Sequence, residues 1–173
     1  MPARPSILWG PLSALGLTVA AITCAADQAS KLWLIGVFDL ASKGVIKVAP
    51  FVDLALTWNT GISYGWFAQE GPLGQGALLA LKVVAVALLW IWLARASWRL
   101  SAVALGLIIG GAIGNAIDRL TYGAVADFVL LHAETATWRF NWYVFNLADV
   151  AIVAGVVGLL YESLWGDSAP KAP

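Results

Sequence analysis

Four apolar stretches of about twenty residues dominate the chain, and a helix needs about 20 such residues to cross the hydrocarbon core of a bilayer. Pro5 to Ala26 and Leu100 to Ile117 carry no charge, Gly71 to Ala94 carries only Lys82, and Phe140 to Tyr161 carries only Asp149. With 173 residues, the chain has too much surface for its volume to hide this much apolar side chain from water. Hydrophobic residues reach 61% and charged residues 12%, where soluble domains run about half and about a quarter. A soluble globular protein and a disordered chain are both excluded. The expected fold is an all-α integral membrane protein, one domain over residues 1–173, with four transmembrane helices at about 7–30, 72–94, 99–119 and 141–164. Outer segments at about 35–70 and 120–140 lie between them.

Ten Lys+Arg balance ten Asp+Glu with no basic run, so nucleic-acid binding has no electrostatic footprint. One cysteine, Cys24, forbids an internal disulfide, and with one histidine, His132, it cannot build a familiar zinc or haem site. No metal or cofactor is expected. The first stretch could be read as a cleavable signal peptide ending near Cys24-Ala25-Ala26, but its length and the three spans that follow favour an uncleaved anchor.

Four spans put both termini on one side. Arg95 and Arg99 in the short loop between spans two and three favour the inner side for the termini. Trp9, Trp90, Trp92, Trp98 and Trp165 fall at the inner ends and Trp33, Trp138 and Trp142 at the outer ends, as an aromatic belt requires. In the first outer segment, Val45 to Trp58 mixes β-branched and aromatic residues around Pro50, which predicts short strands. Asn59-Thr60-Gly61 after it is a turn signal. Gly106, Gly110 and Gly114 would let helices approach closely. The tail from Asp167 to Pro173 is expected to be disordered.

Ionisable residues at membrane depth are functional candidates by default. Asp27 and Lys31 are four apart and share a helix face, either as a self-satisfying pair or with a chemical role. Lys82 is read as structural, snorkelling or pairing with a carboxylate. Asn115-Ala116-Ile117-Asp118-Arg119 and Asn146-Leu147-Ala148-Asp149 repeat an Asn-x-x-Asp spacing that puts each Asn on the face of its Asp. Asp149, nine residues into its stretch, is expected roughly 12 Å below the start of span four. A carboxylate there needs a partner, a proton or water.

Two facing carboxylates cannot both ionise easily, so one holds a proton while the other acts as a base on water. That is the chemistry of an aspartic protease, and it needs no metal, thiol or imidazole. Arg119 follows Asp118 directly and marks it as an ion-pair member. Asp127 has no adjacent cation and lies in the apolar run Val125 to Val129, which could re-enter the membrane edge. Chemistry alone favours Asp127 with Asp149, leaving Asp118 with Asp149 as the alternative. Ser30-Lys31 and Ser63 are poorer nucleophile candidates, and His132 with Glu134 reads as a solvated pair.

Taken in order, Asp27-Gln28-Ala29-Ser30-Lys31, Asn59-Thr60-Gly61, Gly110 to Arg119, Gly123 to Phe128 and Phe145 to Asp149 resemble lipoprotein signal peptidase, the signal peptidase II family. The resemblance covers nearly the whole chain. It implies a bacterial inner-membrane aspartic endopeptidase, active at the outer face, that cuts prolipoproteins before a diacylglyceryl-modified cysteine. It implies Asp127 and Asp149 as the dyad, with Asn115, Arg119 and Asn146 supporting it and holding the substrate backbone. Asp27, Lys31, Asn59 and Gly61 would shape the site, with Asp118 beside Arg119. It also implies a small β-structured cradle and a mobile periplasmic helix over residues 43–70, lipid and prolipoprotein as partners, inhibition by globomycin-type cyclic peptides, and a monomer. Ile62 to Phe67 and the length of His132 to Tyr143 depart from the family pattern. The competing class is a small proton- or cation-coupled transporter, which would string its acids along a path through the membrane; a non-catalytic assembly protein would not need two facing acids.

Overall fold

The structure, a computed structural model, describes residues 7–61, 72–134 and 137–165. Ser63, the altered stretch Ile62 to Phe67, the periplasmic helix expected after the strands and the tail from Asp167 lie outside the described residues.

Helix α1 (Ser13–Leu32) starts where the Gly10 N–H donates to Ser13 Oγ at 2.9 Å, and it runs on into a π-helical turn over Trp33–Val37. A four-residue helix α2 (Leu40–Lys43) leads to β1 (Ile46–Ala49) and β2 (Val52–Asn59), separated at Pro50 as its missing N–H requires. Helices α3 (Pro72–Ala94) and α4 (Arg99–Tyr122) follow, then β3 (Val125–Glu134), β4 (Arg139–Phe145) and α5 (Leu147–Trp165). Gly123, at φ 72°, closes α4 by donating its N–H to Arg119 O at 3.1 Å, and so turns the chain into β3.

The strands form one antiparallel sheet in the order β1-β2-β3-β4. Leu34, Leu40 and Phe128 are buried against Ile46, Leu54 and Leu56 and fasten the sheet to the end of α1. Among the helices, α4 is central and packs on α1, α3 and α5. Small residues set its distances. A Cβ at Gly110 would meet Ala20 O of α1 at 2.5 Å, and one at Gly111 would meet Ala148 O of α5 at 2.6 Å. The spacing of Gly106, Gly110 and Gly114 therefore marks the contact of α4 with α1, and Gly111, outside that spacing, marks the contact with α5. Leu12, Leu93, Leu105 and Ile109 fill the remaining space between α1, α3 and α4.

Among the described residues, α4 and α5 are long and apolar enough to cross a membrane, at mean hydropathy 1.9 and 1.8. Val157, Leu160 and Leu164 on α5 and Leu81, Val84 and Leu88 on α3 face outward, an apolar exterior that water would not tolerate.

Three expectations change. The fourth apolar stretch is two elements: Arg139–Phe145 is a strand and the helix begins only at Leu147. Aromatic and β-branched residues alternating over Phe140, Trp142 and Val144 fit a strand, and apolarity alone could not separate the two. Asp149 therefore stands in the first turn of α5 instead of some 12 Å down a helix. Val125 to Val129, expected to re-enter the membrane edge, is the first half of β3, which pairs with β2 there and meets β4 only from Val129 onward. The sheet is accordingly wider than a cradle confined to residues 43–70. The first helix starts at Ser13, later than the span expected from about 7.

Candidate active site

Asp127 sits on β3, opposite Thr57 of β2. Strand alternation points its side chain inward, where it is 2% exposed. Its Oδ1 accepts from Asn146 Nδ2 at 2.6 Å and its Oδ2 from Asn59 Nδ2 at 3.1 Å. Burial, and after it the negative charge of Asp149, push the Asp127 carboxyl up to about 6; the bonds from Asn59 and Asn146 pull the other way.

Asp149 is fixed by the start of α5. Asn146 Oδ1 accepts from the Asp149 N–H at 3.0 Å, and Asp149 Oδ2 accepts from the Asn146 N–H at 3.1 Å. This is a reciprocal helix cap, in which two otherwise orphaned backbone donors are satisfied at once. The helix N-terminus also favours the carboxylate there. Asn115 Nδ2, from α4, donates to Asp149 Oδ1 at 3.0 Å. The two acids thus reach one place from a strand and a helix start, with the fully buried Asn146 touching both.

Behind the acids lies a buried cation. Lys31 Nζ stands 2.8 Å from Asp27 Oδ2 and 2.8 Å from Asp118 Oδ2, and it donates to Asn115 Oδ1 at 3.1 Å. Each of its carboxylate partners then holds backbone beside one member of the pair. Asp27 Oδ1 accepts from the N–H of Ala148, next to Asp149, at 3.0 Å. Asp118 Oδ2 accepts from the N–H of Ala126, next to Asp127, at 3.1 Å. Gln28 Nε2 closes the cluster on Asp118 Oδ1 at 2.9 Å and Gly114 O at 3.1 Å. Gly114 is required beside this cluster, since a Cβ there would meet Asp27 Oδ2 at 2.5 Å.

Arg119 takes a separate position. Its Nη2 donates to Gly61 O at 2.8 Å and its Nη1 to Asn59 O at 3.4 Å, while the Gly61 N–H is held by Asn59 Oδ1 at 3.1 Å. The turn expected at Asn59-Thr60-Gly61 is thereby anchored to α4. Arg119 Nε is buried without a hydrogen-bond partner among the described residues. Asp127, Asp149, Asn59, Asn115, Arg119 and Lys82 line one cavity of about 830 Å³, whose remaining wall is mostly aliphatic and aromatic.

All ten residues singled out in the sequence fall in this one region, but several relationships differ. Asp118 pairs with Lys31, not with Arg119, because adjacent helical residues point about 100° apart. The Asp27–Lys31 pair is buried instead of lying at an interface, both residues being 2% exposed or less. Asn146-x-x-Asp149 is a cap and not one face of a continuing helix. Ser30 Oγ is occupied by Asp27 O at 2.7 Å. His132, read as solvated, is buried with Nδ1 3.3 Å from Asp53 Oδ2. Sequence reasoning gave no role to Gln28 or to the Ala126 and Ala148 N–H groups, and backbone donors leave no residue-type signal. It also took Lys82 as structural, although Lys82 faces the cavity.

An acid with a raised proton affinity beside a second acid held by N–H donors, in a cavity with apolar walls, is equipped for general acid–base hydrolysis. A family model described as Signal peptidase (SPase) II matches residues 19–165. The lipoprotein signal peptidase of Rhodopseudomonas palustris strain TIE-1 is 63% identical over 159 residues, 92% of this chain and 97% of that protein. That of Nitrobacter hamburgensis is 60% identical over 158 residues, 91% of this chain and 96% of the relative. A solved structure described as a bacterial membrane enzyme aligns with TM-score 0.71 at 21% identity, covering 90% of both chains, and shares the fold.

Proposed function

The chain belongs to the signal peptidase II family, and from that premise we propose that it removes signal peptides from diacylglyceryl-modified prolipoproteins, with Asp127 and Asp149 as its catalytic dyad. The observation that carries the dyad is the shared grip of Asn146 on two carboxylates from different elements. Asp127, pushed up to about 6, is the proton-bearing member. Asp149 takes a proton from a water molecule, and the resulting hydroxide adds to the carbonyl carbon before the lipidated cysteine. Asp127 donates its proton to the cysteine nitrogen as the carbon–nitrogen bond breaks. Asn115 and the spare N–H of Arg119 Nε support the negative charge that builds on the carbonyl oxygen.

Four membrane spans with both termini in the cytoplasm put this site at the outer edge of a bacterial inner membrane. The apolar exteriors of α3 and α5 support the spans, and the two arginines between α3 and α4 support the direction. In this reading the enzyme acts as a monomer. Globomycin-type cyclic peptides would inhibit by filling the cavity against the dyad.

The test is a gel-shift assay in detergent, using a diacylglyceryl-modified precursor and the same precursor without lipid. Wild type cuts only the lipidated form. Asp127→Asn and Asp149→Asn remain folded and bind substrate but lose at least about a thousandfold in kcat. Turnover retained by either variant removes that residue from the dyad.

A further inference from the structure

One cation in the cavity wall takes no part in the network around the acids. Lys82 lies ten residues after Pro72, the first residue of α3, about 15 Å along the helix. It shares the cavity with Arg119, Asp127 and Asp149, together with Ile152 and Val153 one turn further along α5. Its ammonium makes no hydrogen bond or ion pair among the described residues. The carboxylate oxygens of the site are aimed at other donors: those of Asp149 accept from Asn115 and Asn146, and those of Asp127 from Asn146 and Asn59. Lys82 stands beyond ion-pair distance from both acids, whereas Lys31 is fully engaged with Asp27 and Asp118.

An ammonium carries three N–H donors and no acceptor. Water satisfies them while the cavity is empty. An apolar segment filling the cavity strips that water, and a donor left bare in such surroundings is costly. The acceptors must then come from the occupant. A helix ending at the site brings them, because its last four carbonyls have no partner within the helix and carry the negative end of its dipole.

We propose that Lys82 is a substrate-positioning residue whose ammonium donates to the unpaired backbone carbonyls of the peptide segment immediately before the scissile bond. The inference rests on the peptidase reading and adds a specificity element to that site. Lys82 selects substrates whose signal helix has already unwound next to the cut, since a helix continuing through the site offers no free carbonyl. Because the contact is with backbone, it is indifferent to side chains there.

The full-length enzyme in detergent, given the lipidated precursor, tests this with wild type, Lys82→Met and Lys82→Arg. Lys82→Met is expected to raise KM about tenfold, the loss of roughly one charge-assisted hydrogen bond, with kcat within about twofold. Lys82→Arg keeps the donors and recovers most of the loss. A precursor with an ester in place of the amide whose carbonyl lies two residues before the cut presents a weaker acceptor. It is expected to raise KM for wild type and not for Lys82→Met. If the Met variant loses its melting transition, Lys82→Gln supplies the same comparison. Unchanged KM in the neutral variant overturns the inference alone, as does a fall in kcat at constant KM, which would make Lys82 a counter-charge to the acids. Failure of well-folded wild type to cut overturns the peptidase reading and the inference with it.

Discussion

Asn146 and Asp149 hold each other by their backbones: the side-chain oxygen of each accepts the N–H of the other, at 3.0 and 3.1 Å. Asp149, the base of the proposed dyad, is therefore part of the device that starts α5. Asn146 does more, since its Nδ2 reaches Asp127 Oδ1 and Asn115 Oδ1. Serine at this position can still cap the helix but cannot extend a donor to Asp127. Asn146→Ser is expected to cost about 1–3 kcal/mol of stability, since Asp127 Oδ1 loses a buried donor, and to lose at least about a hundredfold in kcat. Parallel melting curves and initial rates separate the two; a collapse in stability with the catalytic constant of the surviving protein intact would assign Asn146 to capping alone.

The pH profile of kcat/KM reports the free enzyme. With Asp127 pushed up to about 6, its proton is held below that pH and lost above it, so kcat/KM is expected to fall as pH rises through about 6. The hydrogen bond from Asn59 favours the ionised form and lowers this value. Removing it in Asn59→Ala raises the proton affinity, and the falling limb moves to higher pH. A limb that moved down, or stayed, would place the essential proton elsewhere.

Lys31 neutralises two carboxylates that are 0% and 1% exposed. Lys31→Met leaves Asp27 and Asp118 buried without their cation and is expected to cost about 3 kcal/mol of stability. Both acids also hold the backbone beside Asp149 and Asp127, the proposed dyad, so kcat is expected to fall as well. Adding Asp118→Asn removes one of the stranded charges and restores part of the loss, a coupling that a double-mutant melting series reads directly. An inert Lys31→Met would reduce the cluster to packing.

How far the sequence could be read depended on what each signal encodes. Asp127 stood out from Asp118 by its lack of a neighbouring cation, and the structure puts it against Asn59 and Asn146, with Asp118 on Lys31. The strands around Pro50 were legible because β-branched and aromatic residues cluster there. The boundary at Leu147 was not, since Phe140 to Phe145 and the helix after it are equally apolar, and hydropathy carries no information on backbone direction. Nor was the partner of Asp118. The side-chain partner of a buried acid is set by tertiary contact, here across 87 residues to Lys31, and the adjacent Arg119 was a false lead.

The proposed dyad draws on α1, β2, α4, β3 and α5 together, and Asp149 belongs to the last of these to be synthesised. A ribosome-bound or half-inserted chain holds Asp127 without its companion and without the Asn146 that aligns it. On the proposed mechanism, proteolytic competence therefore arrives with α5, once Asn146 and Asp149 are in place. The chain's own topogenesis is then the safety catch.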